Sequence, residues 1–365
     1  MDDKKLYRAI GLMSGTSLDA IDTALLKTDG YSSVQSVAFR STPYDPSFRE
    51  ELRACFGKRD VRNEPETARV EKKLTELHAT EVLALLSENN LDAKDIDLIG
   101  FHGQTLWHDP NDGETVQIGD GALLGKLTRI PVVNDFRTND VQNGGQGAPL
   151  VPLYHRALAS ILPKPVGILN IGGISNITWI GGVSDEDVIA FDMGPGNALV
   201  DDWVLRNTGA RFDVGGALAA QGKVDAAFLA NFAKHPYFEG LPPKSLDRET
   251  FATFIPHGMS LEDGAATLTS MTVQAVICGL AQLPLKPSHI YVTGGGRHNA
   301  TMCRWIEEKT RIPVISVDAL GWNGDAVEAE AFAYLAVRSL LGLPLSMPLT
   351  TGVKEPTTGG VLHKP

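Results

Sequence analysis

Cysteine, aromatic residues, positive charge and long apolar runs are all scarce in this sequence. Its three cysteines, Cys55, Cys278 and Cys303, are odd in number and far apart. That excludes a disulfide framework, offers no metal-ligand spacing, and fits reduced thiols in a cytoplasmic protein. The 33 Lys and Arg are outnumbered by 44 Asp and Glu, and the net charge of −11 argues against a nucleic-acid or anionic-membrane partner. No run approaches the ~20 apolar residues of a membrane span, and Met1-Asp2-Asp3-Lys4-Lys5 lacks the apolar core of a signal peptide. A 43% hydrophobic and 21% charged composition is that of a globular protein. The length corresponds to about two to three domains of ~150 residues.

What the chain does have is glycine at the ends of apolar stretches. Residues Gly167 to Ile180 read as a strand, a turn and a returning strand, with Gly172, Gly173, Ser175 and Asn176 in and after the turn. Backbone N–H groups in such a turn can face an anion without Cβ atoms in the way. A third apolar strand ends in Phe191-Asp192-Met193-Gly194-Pro195-Gly196-Asn197, which puts a single carboxylate at a strand end just before a helix N-terminus. An anion-cradling turn beside a fixed carboxylate is what a phosphoryl-transfer site needs.

The same device stands at the start of the chain. Residues 6–26 read as a β-hairpin whose turn, Ser14 to Ser17, offers hydroxyls and unhindered amides, with Asp19 and Asp22 on the return strand. Each hairpin is followed by a third strand and then by helix–strand alternation. In the first half, helices are expected at 45–56, 65–89, 119–129 and 149–162, and strands at 34–42, 96–102 and 130–134. In the second, helices fall at 198–206, 262–283, 302–310 and 325–341, with strands at 289–292 and 314–317. Pro163-Lys164-Pro165 is the clearest boundary. The expectation is two α/β domains, 1–163 and 164–344, with mixed sheets flanked by helices and an irregular tail at 345–365. The ligand site is expected in the interdomain cleft, facing both hairpin turns and closing by rotation of the halves.

Two architectural features, the duplicated hairpin and the strand-end carboxylate, resemble the actin, hexokinase and heat-shock chaperone ATPase superfamily, whose two ribonuclease H-like domains close over ATP and a metal ion. The likeness sharpens in the strings Met13-Ser14-Gly15-Thr16-Ser17-Leu18-Asp19, Phe101-His102-Gly103-Gln104-Thr105, Asn134-Asp135-Phe136-Arg137 and Asn170-Ile171-Gly172-Gly173-Ile174-Ser175-Asn176. It continues in Gly194-Pro195-Gly196-Asn197, Pro243-Lys244-Ser245, Thr293-Gly294-Gly295-Gly296-Arg297-His298-Asn299 and Glu328-Ala329. In that order, from about residue 8 to 341, they resemble the anhydro-N-acetylmuramic acid kinases. Met193 stands where that family usually has Thr, and Ala20 where it usually has Gly.

The resemblance implies a cytosolic kinase of peptidoglycan recycling. It converts 1,6-anhydro-N-acetylmuramic acid, ATP and water to N-acetylmuramic acid 6-phosphate and ADP, with Mg2+, and acts as a homodimer. Asp192 is the expected base for the attacking water, against the plainer reading of a turn aspartate. Residues Gly15, Thr16, Ser17, Leu18, Asp19, Ala20, Ile21 and Asp22 are expected at the β- and γ-phosphates, with Asp19 or Asp22 orienting magnesium through water. Gly172, Gly173, Ser175 and Asn176 form the second phosphate turn; Gly294, Gly295, Gly296 and Asn299 form the adenosine loop. Arg137 and Glu328 are the expected sugar-side pair, Arg137 meeting the lactyl carboxylate. Glu328 also reads as a glutamate in a first helical turn, where the helix dipole favours it. His102 reads equally as cleft-lining or structural. Lys244 and Ser245 stay outside the expected catalytic set. A kinase for another anhydrosugar, such as levoglucosan, and a non-catalytic actin-like ATP-binding module are the rival readings.

Overall fold

The computed structural model describes residues 5–57, 64–246 and 248–365, with only the backbone described at 248 and 249. The start of the charged N-terminal stretch, Met1 to Lys4, lies outside the described residues. The chain forms two compact units: residues up to 160 together with 326–365, and residues 161–325.

In the first unit, β1 (Tyr7–Met13), β2 (Ala20–Thr28) and β3 (Val34–Pro43) form an antiparallel meander. α1 (Pro46–Arg53) and α2 (Pro65–Glu88) lead to β4 (Leu98–Phe101), the hairpin β5 (Gln104–Asp109) and β6 (Glu114–Ile118), α3 (Gly121–Thr128) and β7 (Val132–Asn134). α4 (Thr138–Gln142) and α5 (Pro152–Leu158) close this stretch. β4 adds parallel to β1 and β7 parallel to β4. α2 buries Val82, Leu85 and Leu86 against Ile10, Leu12, Ile99 and Phe101 of the sheet. Each side chain of that size contributes about 2 kcal/mol by leaving water.

The second unit repeats the plan. β8 (Val166–Ile171), β9 (Ile174–Ile180) and β10 (Val188–Pro195) form the meander, followed by α6 (Ala198–Thr208), α7 (Ala226–Phe232) and α8 (Leu261–Leu280). β11 (Ile290–Thr293), α9 (Ala300–Thr310) and β12 (Val314–Ser316) complete it, in the sheet order β10-β9-β8-β11-β12. β8 and β11 are parallel, as are β11 and β12. The expected duplication is thus a duplication of topology: three antiparallel strands, then two parallel ones.

The chain then returns to the first unit through α10 (Val327–Leu340), α11 (Pro348–Thr351) and β13 (Val361–His363). This corrects the expected division, which left α10 in the second domain and the tail irregular. The cause is visible in two glycines that are register partners, Gly11 of β1 and Gly100 of β4. A Cβ on Gly11 would lie 1.8 Å from the Ala329 carbonyl oxygen, and one on Gly100 would lie 2.0 Å from that of Phe332. Without side chains there, the α10 backbone lies directly on the sheet. β13 pairs antiparallel with β7 at the sheet edge, so the tail is structured too. The β5–β6 hairpin, which the sequence reading passed over, caps the same unit. Among the described residues no helix is long and apolar enough to cross a membrane.

Candidate active site

The turn between β1 and β2 is built on a fixed floor. Ser14, buried, donates its hydroxyl to Gln104 Oε1 (2.7 Å) and accepts from the Tyr44 hydroxyl (2.8 Å). Gln104 Nε2 donates to the Gly15 carbonyl (3.3 Å). Leu18 takes a left-handed φ of 56° yet buries its side chain with Tyr44, Phe48 and Leu52. Burial therefore holds a backbone state that costs a leucine on the order of 1 kcal/mol. Thr16 and Ser17 are left exposed at the tip. Leu18 and Ile21 point into the core, so only their backbones can meet a ligand.

Arg49 donates through one nitrogen to the Ser17 carbonyl (3.0 Å) and to Asp19 Oδ1 (3.2 Å). Asp22 accepts from the Ser41 hydroxyl (2.6 Å). Among the described residues no group of three or more His, Cys, Asp or Glu is gathered to hold a metal ion directly. An exposed Asp19 and a half-buried Asp22 suit contact with a hydrated ion through water better than a protein-made coordination shell.

The turn between β8 and β9 is furnished differently. Gly172 donates its N–H to the Ile174 carbonyl (3.1 Å), so that amide is not turned outward as expected. Ser175 is fully buried and donates to the Gly194 and Pro195 carbonyls (3.1 and 3.2 Å). Its hydroxyl therefore stitches two turns together and does not face a ligand. The stitching is dense: Gly196 N–H donates to the Gly173 carbonyl (2.9 Å) and Asn197 N–H to that of Gly172 (2.7 Å). A Cβ on Gly196 would sit 2.3 Å from the Gly172 oxygen, which explains that glycine.

Strand register aligns polar residues that the sequence reading met one at a time. Thr293 pairs with Asn170, Asn170 with Asn176, and Asn176 with Asp192. Directly paired residues share a sheet face, so four polar side chains form one row across β11, β8, β9 and β10. Asn170 was missed; an asparagine interrupting the apolar strand Val166–Ile171 was its signal. A β-bulge between Asp192 and Gly194 ends the regular pairing, and Met193 is buried among Phe191, Val276 and Leu280. The methionine thus packs in the core, on the side of its buried neighbour Phe191.

Asp192 itself is half-buried. Burial pushes its carboxyl up to about 6, and the Leu246 N–H, donating to Oδ2 (2.8 Å), pulls the other way. Such a carboxylate is still ionised at neutral pH but is a stronger base than an exposed aspartate, as general-base work requires.

Of the three expected adenosine-loop glycines, two are needed for packing. A Cβ on Gly294, whose φ is +72°, would meet Asn170 Oδ1 at 2.3 Å, and one on Gly296 would meet the Ile171 Cβ at 2.4 Å. Gly295 and Asn299 line a cavity of about 430 Å³ with Asn197, Val200, Phe212 and Val214. Asn299 also accepts from the Met302 N–H (2.9 Å), capping α9.

In the first unit, Arg137 and His102 come together. Arg137 donates to His102 Nε2 from Nε (3.1 Å) and Nη2 (2.9 Å), and from Nη1 to the Gly147 carbonyl (2.6 Å). An arginine can only donate, so His102 is neutral there, with Nδ1–H donating to the Gly103 carbonyl (2.8 Å). Burial and the adjacent guanidinium both hold its pKa well below the usual histidine value. His102 is therefore held neutral against Arg137, and it also lines a cavity of about 400 Å³ with Gln117, Asn134 and Asp135, so both of its expected roles stay open. Three of the five guanidinium N–H groups are used in these bonds, leaving one on each terminal nitrogen, the number a carboxylate takes in bidentate contact. Burial lowers Arg137 to about 10, so it stays charged at neutral pH, and the Glu328 carboxylate raises it. Glu328, in the first turn of α10, keeps part of its side chain in contact with solvent but is crowded by protein on its other sides, and that desolvation raises its pKa against the lowering by Arg137.

The family model for anhydro-N-acetylmuramic acid kinase matches residues 7–365. The chain belongs to the anhydro-N-acetylmuramic acid kinase family. Relatives bearing that name include one from Rhizorhabdus wittichii, 50% identical over 98% of this chain and 99% of its own. Another, from Paramagnetospirillum magneticum, is 49% identical over the same shares. Among solved structures, a ROK hexokinase from Thermus thermophilus aligns over 90% of this chain and 99% of its own, at 16% identity and a TM-score of 0.43.

Proposed function

We propose that this protein is an ATP-dependent kinase that opens the 1,6-anhydro ring of 1,6-anhydro-N-acetylmuramic acid by hydrolysis and phosphorylates the freed 6-oxygen. The observation that carries the mechanism is Asp192, a partly desolvated carboxylate fixed at a strand end at the edge of a polar row. It takes a proton from water as the water oxygen bonds to the anomeric carbon. The bond from that carbon to the 6-oxygen breaks, the 6-oxygen bonds to the γ-phosphorus, and ADP leaves. The products are N-acetylmuramic acid 6-phosphate and ADP.

Thr16, Ser17 and the backbone of 15–22 bind the β- and γ-phosphates in this scheme. Magnesium, reached through water by Asp19 and Asp22, neutralises phosphate charge when bound. The cavity at Gly295 and Asn299 takes the adenosine, its apolar walls at Val200, Phe212 and Val214 suiting a flat base. The two remaining N–H groups of Arg137 bind the lactyl carboxylate, and Glu328 accepts from sugar hydroxyl or amide groups. A cytoplasmic homodimer working in peptidoglycan recycling completes the proposal.

The test is ADP release from ATP and magnesium with either 1,6-anhydro-N-acetylmuramic acid or levoglucosan. Turnover with the muramic sugar alone supports the proposal. Turnover only with levoglucosan moves the substrate, and ATP binding without turnover on either sugar favours a switch-type module.

A further inference from the structure

Asp192 is held by one loop through three separate bonds. Its backbone N–H donates to the Lys244 carbonyl (3.0 Å), its carbonyl accepts from the Tyr237 hydroxyl (2.5 Å), and its Oδ2 accepts from the Leu246 N–H (2.8 Å). Backbone and carboxylate are therefore both fixed by residues 237–246, which lie far from β10 in sequence.

The loop is itself braced. Lys244 Nζ donates to the Tyr237 and Gly240 carbonyls (3.0 and 2.8 Å) and lies 4.5 Å from the Tyr237 ring centroid. Phe238 stacks on Phe251 and meets Phe232 edge-on. Close aromatic packing of this kind leaves little room for the loop to drift. None of these side chains is needed to hold a phosphate or a sugar in the scheme above.

We propose that the 237–246 loop is the positioning element for Asp192, with Tyr237 and Lys244 as its positioning residues. Tyr237 fixes the strand end at which the carboxylate starts, and Lys244 closes the loop so that the Leu246 N–H stays on Oδ2. That N–H favours the ionised carboxylate, so a looser loop makes Asp192 harder to deprotonate. Tyr237 is the titratable group of the loop that faces Asp192; the Lys244 ammonium lies on the Tyr237 ring and near Cys278 of α8. The inference rests on Asp192 being the base.

The test compares wild type, Tyr237→Phe, Lys244→Met and Asp192→Asn by ADP release with the muramic sugar between pH 5 and 9. Tyr237→Phe should lower kcat roughly tenfold with both KM values within about twofold, since a lost hydrogen bond misplaces the base without touching substrate. Its acid limb should move up by about half a pH unit, and Lys244→Met should move it the same way by less. Lys244→Met carries the test should Tyr237→Phe fail to fold. A wild-type kcat and limb in the folded variants would overturn the positioning role while leaving Asp192 as base. An acid limb persisting in Asp192→Asn would assign that limb to another group and remove the base reading, and the inference with it.

Discussion

The two hairpin turns, 14–17 and 172–173, occupy equivalent places in two sheets of one topology, yet they spend their polar groups in opposite ways. The first keeps Thr16 and Ser17 exposed and ties its floor down with Ser14, Gln104 and Tyr44. The second turns Ser175 and the Gly172 amide inward and laces itself to the turn at 194–197. A duplicated element has thus diverged into one turn that leaves its hydroxyls exposed and one that fixes the strand end carrying Asp192. Topology repeats; the division of labour does not.

That contrast can be broken at several points. Asp192→Asn should lower kcat about a thousandfold, the loss expected when a general base goes, with the fold intact by circular dichroism. Replacing Thr16 and Ser17 together by Ala should raise the KM for ATP about tenfold and leave thermal stability unchanged. Ser175→Ala, made in the matching turn, should do the reverse: it costs about 1–2 kcal/mol in urea unfolding and leaves the KM for ATP alone. Gly196→Ala should destabilise by about 2 kcal/mol, because its Cβ meets the Gly172 oxygen at 2.3 Å. If Ser175→Ala weakened ATP binding and spared stability, the two turns would be equivalent after all.

Asp192 also leaves a signature in stability. Its folded-state pKa, raised from 3.8 to about 6, means the folded chain holds that proton more tightly than the unfolded one. The stabilisation from this group is present in full below the unfolded value and is lost as pH rises through about 6. Asp192→Asn should therefore stabilise the protein at pH 8, by on the order of 2 kcal/mol, and not at pH 4. Calorimetry at the two pH values checks this.

Much of this was legible in the sequence because it is local. Apolar alternation and Gly-rich turns mark both hairpins, and the long helix at 65–88 shows its stripe. The carboxylate of Asp192 stands out as the only charge at the end of its apolar strand. What escaped was tertiary. That α10 belongs with β1 depends on Gly11 and Gly100 meeting a helix more than 200 residues away, and no local pattern records it. Asn170 gains meaning only from register, and Ser175 looks like a ligand hydroxyl until its carbonyl partners are known. The hold of Tyr237 and Leu246 on Asp192 spans 45 and 54 residues. Arg137 was legible as a candidate for binding a carboxylate, but its bonds to His102 were not.

The most direct test of the central claim is the pH dependence of kcat for ADP release in wild type and Asp192→Asn. If Asp192 is the base, wild-type kcat falls with unit slope below about pH 6, and the residual activity of the variant has no such limb. A wild-type rate that stays flat from pH 5 to 8, or a limb that survives in the variant, would contradict it.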